Sequence, residues 1–457
     1  MPASPSTARA INDRLALSLL QQEGPLTAGQ LKQLTGLSRP TVADLVERLT
    51  ASGLIAVVGE SGEQRRGPNA RLYGIVADRA YLAALDVRTD SVSVLVSDLV
   101  GRVLAEGTVP VGPEDGTTAA VEQAVALVER TVKEAEASGG GRLHTVGIGA
   151  PGLIDPATCE LRDSAGLPAW HRRLVAALQE RFPGARVSVE NETNLAALAE
   201  QREGVARDRD TFVLLWLGDG CGAAVVLDGS LRRGASGGTG EIGFLPVPGT
   251  GALPSATDCS GGYHSLVGAA AIRELAEQCG IQPFETAAQA VEKATRTTPT
   301  PSDAPLGSEE ASPEPDPGDA PRRGAGNCAT SHDAPAPDRR PAPTPSSRPA
   351  SALHGRPASV SSEERSGHFL DALADRIAVG VAAVVAVLDP GCVVLGGEIG
   401  PAGGAVLAAR VEARLRRMSP LATEVRASAL GGAAVLRGAL LTARERAQDD
   451  LFAPPDR

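Results

Sequence analysis

Ser38, Arg39 and Thr41 crowd around Pro40 at the start of an apolar helical pattern. Short hydroxyls and a guanidinium at a helix start suit contacts to phosphate oxygens and base edges. Asp44 and Arg48 fall one and two turns further along, on a solvated face. A second basic spot, Arg65 and Arg66 beside Gly67-Pro68, has the charge and shape for a phosphate or minor-groove contact. The candidate DNA-contacting set is therefore Ser38, Arg39, Pro40, Thr41, Asp44, Arg48, Arg65 and Arg66. Residues 1–76 hold eight Lys and Arg against six Asp and Glu, a balance of +2, whereas the whole chain stands at −11.

Such contacts need a scaffold, and the flanking pattern supplies one. Ile11, Leu15, Leu19 and Leu20 mark a helix over 8–22, and Gly24-Pro25 ends it. Thr27 caps a short second helix over 28–34, and Thr35-Gly36-Leu37 makes a tight turn. Ser38 then caps a third helix with Pro40 just inside its start; Val42, Leu45, Val46 and Leu49 share one face. Two apolar runs, 54–58 and 71–75, flank a polar loop and read as a β-ribbon. This is the layout of a winged helix-turn-helix, whose third helix offers its N-terminal end to base edges. A three-helix module used only for protein contacts is the other reading.

From Tyr81 the pattern alternates. Strands are expected over 81–87, 91–97, 102–109, 145–149, 186–190, 211–217, 223–227 and 393–395, and helices over 117–137, 194–203, 367–388, 403–417 and 433–448. Between 295 and 364 the periodicity vanishes, and 14 of the 34 prolines fall between Pro299 and Pro357. A segment so poor in apolar residues cannot offset its ordering entropy and reads as a disordered insertion.

Five short motifs, four of them glycine-rich, follow one another in this body. They are Gly147-Ile148-Gly149-Ala150-Pro151-Gly152, Glu190-Asn191-Glu192-Thr193-Asn194, Leu217-Gly218-Asp219-Gly220-Cys221-Gly222, Gly240-Glu241-Ile242-Gly243-Phe244, and VVLGGEIG at 393–400. Their order resembles the ROK family of sugar-responsive bacterial repressors and sugar kinases. The resemblance covers nearly the whole chain apart from the Pro-rich insertion, and the N-terminal winged helix matches the regulator branch. It implies an α/β fold: a winged helix-turn-helix at 1–78, then a two-lobed actin-like ATPase body. The lobes are expected at 79–190 and 191–450, the second with the C-terminal helices and interrupted by the insertion at 295–364.

The same resemblance assigns Gly152, Asn191, Glu192 and Glu241 to a set that contacts sugar, with His264 as a further candidate. Paired carboxylates and an amide suit bidentate hydrogen bonds to vicinal hydroxyls; the other reading is that they brace loops in a vestigial cleft. Family kinases carry glycines and a threonine after the first-strand aspartate, and here Asp86 is followed by Arg88, Thr89 and Asp90. Bulky side chains and an added carboxylate oppose a triphosphate. Glu192 stands at the family's catalytic-base position with one methylene too many, and Asp219 adds charge to the second phosphate loop. No catalytic residue is therefore assigned. The family's zinc ligands are also depleted: Phe244 replaces a histidine, and the cysteine cluster is reduced to Cys259 with His264 nearby. No metal and no cofactor are expected.

Composition narrows the rest. At roughly 150 residues per domain, 457 residues suggest about three units. Only 2 Trp, 3 Tyr and 6 Phe are present, so Ala, Val and Leu must fill the cores. The longest apolar run, 377–388, is too short to span a bilayer. Six cysteines without a paired motif and no evident signal peptide fit the cytoplasm. The reading is a DNA-binding transcriptional regulator, a repressor, acting on operator DNA as a homodimer or homotetramer, with a sugar or sugar derivative as effector and no membrane partner. An ATP-dependent sugar kinase of the glucokinase-like type is the alternative. A regulator that answers to a protein partner through the insertion is a third.

Overall fold

The computed structural model describes residues 5–61, 70–112, 114–162, 167–255, 257–298 and 361–452. Three helices open the chain: α1 (Pro5–Glu23), α2 (Ala28–Thr35) and α3 (Arg39–Ala51). They pack on an antiparallel sheet of β1 (Leu26–Thr27), β2 (Ile55–Ser61) and β3 (Ala70–Ile75), in the order β1-β3-β2. Thr27 starts α2 through a capping box: its hydroxyl accepts from the Gln30 N–H at 3.2 Å, and the Gln30 side chain accepts from the Thr27 N–H at 2.9 Å. Gly36, at φ 69°, closes the helix and turns the chain into α3. The four apolar residues of α3 are buried as their spacing requires. Strand β1 escapes the pattern reading because two residues are too few to alternate.

The body holds two five-stranded sheets of identical topology. The first runs through β4 (Tyr81–Val87), β5 (Ser91–Asp98), β6 (Val103–Pro110), β7 (Leu143–Ala150) and β8 (Arg186–Asn191), ordered β6-β5-β4-β7-β8. Helices α4 (Thr117–Ala137) and α5 (Trp170–Arg181) cover one face. After α6 (Glu192–Arg202) the second sheet forms from β9 (Phe212–Leu217), β10 (Cys221–Leu227), β11 (Ser230–Arg232), β12 (Cys392–Gly397) and β13 (Glu424–Ala427), ordered β11-β10-β9-β12-β13. In each sheet the first three strands are antiparallel and the last two join in parallel. Helices α7 (His264–Val267), α8 (Ala269–Gln278), α9 (Ala287–Thr297), α10 (Ser362–Leu388) and α11 (Ile399–Met418) build the outer layer of the second lobe. Tyr263, Phe212 and Phe369 are among the largest fully buried side chains here; Ala, Val and Leu fill most of the remaining space.

Every residue of β4 is buried, because both faces of the sheet are covered. Ala83, Leu85 and Val87 point to α4 and α5, while Leu82 and Ala84 point to the opposite side. That side is filled by α6 and the last helix, α12 (Ala434–Leu451). Ala196 and Ala197 of α6 pack on the second sheet beside Phe212 and Leu214, and Leu195 packs with Ala84 of the first. The pair α6 and α12 thus lies between the two sheets.

Two expectations need correction. The C-terminal helix was assigned to the second lobe, yet its backbone seats on β7 of the first: a Cβ added to Gly147 would come 2.5 Å from the Ala439 carbonyl oxygen. The insertion limits of 295–364 are too wide, because Thr295 and Thr297 finish α9 and Ser362 opens α10. Capping at Thr286 and the apolar seam of α9 carry that helix through polar residues that look unstructured in sequence. The expected disorder of 299–360 lies outside the described residues. No helix among the described residues is long and apolar enough to cross a membrane.

Candidate nucleic-acid interface and interlobe cleft

The first candidate surface is the start of α3. Ser38 has extended backbone and its Oγ accepts from the Thr41 N–H at 3.3 Å, while the two hydroxyls lie 2.7 Å apart. This cap satisfies an otherwise orphaned helix donor and leaves Arg39 and Pro40 exposed at the tip. Ser38, Arg39, Pro40 and Thr41 are therefore brought together on one accessible end. Asp44 and Arg48 are placed differently. Arg48 donates to Asp13 of α1 at 2.6 and 3.4 Å and also pairs with Asp44, its neighbour one turn back. Asp13 raises the Arg48 pKa further and fixes its charge. Both side chains already have partners: Arg48 fastens α3 to α1 through Asp13, and Asp44 pairs with Arg48 along α3 itself. Arg65 and Arg66, between β2 and β3, lie outside the described residues.

The second candidate surface is the cleft at the N-terminus of α6. Asn191 caps that helix: its Oδ1 accepts from the N–H groups of Thr193 at 2.9 Å and Asn194 at 3.2 Å. Its Nδ2 donates to the Gly152 carbonyl at 3.1 Å and to Glu192 Oε2 at 2.8 Å. Gly152 adopts φ 109°, a left-handed turn that glycine tolerates, and so presents its carbonyl to the cap. Burial pushes the Glu192 carboxyl up to about 8, with the charges of Asp86 and Glu241 adding to the effect. Glu241 follows Gly240, which sits so close to β10 that a Cβ would fall 1.7 Å from the Ala223 carbonyl oxygen. Gly152, Asn191, Glu192 and Glu241 thus share one site, and Asn191 spends its amide on bracing it.

Asp86, one residue before the end of β4, is buried, its carboxyl raised by burial and pulled back by Arg88. Arg88 donates to Asp86 at 3.1 Å and, across the cleft, to Glu398 at 2.6 Å. Glu398 lies between β12 and α11 and leans over Gly218, where a Cβ would come 2.2 Å from its Oε2. His171 reaches the Arg88 carbonyl from α5 at 3.2 Å. Arg88 therefore joins the two lobes by an ion pair that runs from the end of the first sheet to the end of the second. Glu398 is a residue that sequence reasoning missed as a site group, although it stands directly after the Gly396-Gly397 turn. Glu190 was missed as well: it accepts from Asn194 at 3.0 Å and clamps Arg233, at the edge of the glycine-rich stretch, at 2.6 Å.

His264 opens α7 with its ring against Gly268 and its Cβ beside Gly243 of the Glu241 loop, and among the described residues it joins no hydrogen bond of the Asn191–Glu192 group. The residues do not fit a zinc site. Phe244 is partly exposed where a ligand would be needed, and a phenyl ring offers no donor atom. Among the described residues no group of three His, Cys, Asp or Glu is placed to hold a metal.

Known proteins place this architecture. The MarR family profile matches residues 11–67, and the ROK family profile matches residues 82–299 and 356–446. A xylose repressor of Caldicellulosiruptor bescii is 26% identical over 239 residues, 52% of this chain and 59% of that protein. The N-acetylglucosamine repressor of Escherichia coli O157:H7 is 26% identical over 247 residues, 52% of this chain and 58% of that protein. The chain thus spans less than two thirds of the length of these curated relatives. Among solved structures, a ROK family transcriptional regulator described as a homolog of the E. coli MLC protein shares the fold with a TM-score of 0.66 at 18% identity, covering 97% of this chain and 98% of that one. The ROK hexokinase from Thermus thermophilus aligns with a TM-score of 0.53 at 23% identity, over 81% of this chain and 99% of its own. The fold is α/β, a winged helix followed by a two-lobed actin-like body, and with the family profile matched over more than half of its length the chain belongs to the ROK family.

Proposed function

We propose that the chain is a sequence-specific DNA-binding transcriptional regulator, a repressor, controlled by a sugar or sugar derivative in the interlobe cleft. The observation that carries this reading is the exposed N-terminal end of α3, with Ser38, Arg39 and Thr41 presented together on a winged helix. Arg65 and Arg66 would extend the contact to the backbone beside it. The curated relatives are named as repressors, one for xylose and one for N-acetylglucosamine, which supports the same assignment. In the cleft, Glu192, Glu241 and the Gly152 turn form the sugar-facing group, and Asn191 braces it. His264 serves as a more distant wall. The chain acts in the cytoplasm as a homodimer or homotetramer, which suits a two-fold operator. Domain limits of 1–78, 79–190 and 191–450 serve this reading, with α12 moved to the first lobe.

Kinase activity is lost on this reading. Arg88, held by Asp86 and Glu398, occupies the mouth next to Gly218 where a phosphate would need open backbone. Glu192 also carries one methylene more than the aspartate at the family's base position, which displaces its carboxylate from where a positioned base must stand. A coupled ADP-release assay over hexoses and N-acetylhexosamines tests this point: no turnover is expected, and turnover abolished in Glu192→Gln would reverse it. DNA reading is tested by selection of duplexes from a random library at moderate salt. Enrichment of a common sequence is expected, and affinity equal to random DNA would sink the proposal.

A further inference from the structure

Helix α12 touches both α6 and α1. Near its start, Ala434 packs with Ala196 and Ala197 of α6, and Val435 and Ala439 pack with Leu195. The fit is backbone to backbone at Gly438, where a Cβ would lie 2.0 Å from the Leu195 carbonyl oxygen. No flexible side chain separates the two helices there, so α6 cannot shift without moving α12. Further along, Ala443 and Ala447 share one apolar core with Ala16, Leu17 and Leu20 of α1. Polar contacts fix the register of that seam: Gln448 donates to Gln21 at 3.1 Å, Gln21 donates to the Val100 carbonyl at 3.1 Å, and Arg14 pairs with Asp449. The Arg14–Asp449 pair is exposed and contributes little energy by itself, so the apolar seam carries the joint.

Adjacent residues of α1 serve different partners, beside the apolar core in which Leu17 and Leu20 of α1 meet Leu45 and Leu49 of α3. Arg14 holds the body through α12, and Asp13 holds α3 through Arg48, at 2.6 Å with both side chains mostly sheltered. We propose that α12, α1 and the Asp13–Arg48 pair form one strut between the cleft helix α6 and the DNA-reading helix α3, with Asp13 as its positioning residue. The inference rests on the regulator reading above and adds the route by which cleft and DNA end communicate. Coupling is reciprocal, so DNA bound at α3 must bias α6 as strongly as a cleft ligand biases α3. This allows a test with DNA alone.

The experiment is hydrogen–deuterium exchange on the full chain, with and without a duplex selected from a random library by the wild-type protein. Binding is expected to slow exchange severalfold in α12 and in the first turns of α6, besides α3 itself. In Asp13→Asn, where Arg48 keeps Asp44 as a partner, DNA binding and the change at α3 should remain while the change at α12 and α6 is lost; Asp13→Glu should restore it. Gly438→Ala should let α12 respond and leave α6 silent. Should that variant fail to fold, Asp13→Asn decides alone. Duplex binding that leaves α12 and α6 of the wild type unchanged overturns the proposal, as does an Asp13→Asn protein that transmits the change like the wild type. A library from which no duplex is enriched instead removes the DNA-binding reading itself, and is distinguished by the absence of binding.

Discussion

A carboxyl group in the first turn of a helix ordinarily ionises easily, because the helix N-terminus stabilises its anion. Glu192 behaves in the opposite way: burial, reinforced by Asp86 and Glu241, lifts it from 4.5 to about 8. Between those values the folded protein keeps a proton that the unfolded chain has released. Stability must therefore fall as pH climbs through that window and level off above about 8. Glu192→Gln removes the ionisation, so its advantage over the wild type should grow from pH 5 to pH 8, to the order of 1–3 kcal/mol in urea denaturation. A constant difference across the window would show that Glu192 is solvated. Arg39 and Arg48 should separate just as clearly. Arg39→Ala is expected to weaken specific DNA binding by about 1–3 kcal/mol with no change in melting temperature. Arg48→Ala should lower the melting temperature, because Asp13 then loses its sheltered partner. Fluorescence anisotropy and thermal denaturation on the same two variants check both outcomes.

At the scale of elements, legibility followed contact range. Helix α3 was readable because its cap, its proline and its apolar face are local signals within a few residues. Ser38→Ala should accordingly cost about 1 kcal/mol of unfolding free energy, measured in urea, through the lost cap alone. The strands of both lobes were readable as apolar runs bounded by glycine turns. The seating of α12 was not, because Gly147 and Gly438 become close contacts only when remote segments meet, and sequence shows a small residue without its neighbour. The Arg88–Glu398 bridge was hidden for the same reason, its partners standing 310 residues apart. The glycine order revealed Gly152, Asn191, Glu192 and Glu241, yet the bracing role of Asn191 appeared only with its four hydrogen bonds. Glu200 is a similar case: fully buried, it accepts from Ser428 at 2.5 Å and from the Val205 N–H at 2.8 Å, and nothing in a polar helical stretch marks it as a core residue.

The whole molecule is a small winged-helix domain joined to a much larger acidic body, and the joint is apolar. Its long second lobe closes over the insertion point: Thr297 and Ser366, on the helices that flank 299–360, share a hydrogen bond of 2.6 Å. The flanks are thus already adjacent, and a short Gly-Ser linker replacing 299–360 should leave the melting transition in place, since closure cost grows slowly with length. A lost transition in that variant would mean that the segment contributes to the fold. On the proposed function, the acidic balance of the body would limit nonspecific attraction to the duplex and leave affinity to the start of α3 and to Arg65 and Arg66. Whether this chain reads DNA, and whether a sugar in the cleft changes the reading, is decided by titrating the wild-type chain against its selected duplex at moderate salt, with and without D-xylose or N-acetylglucosamine. Sequence-specific binding is expected, with a dissociation constant that shifts by about 5- to 150-fold with one of these sugars. Binding no tighter than to random DNA, or a constant indifferent to both sugars, would contradict the proposed function.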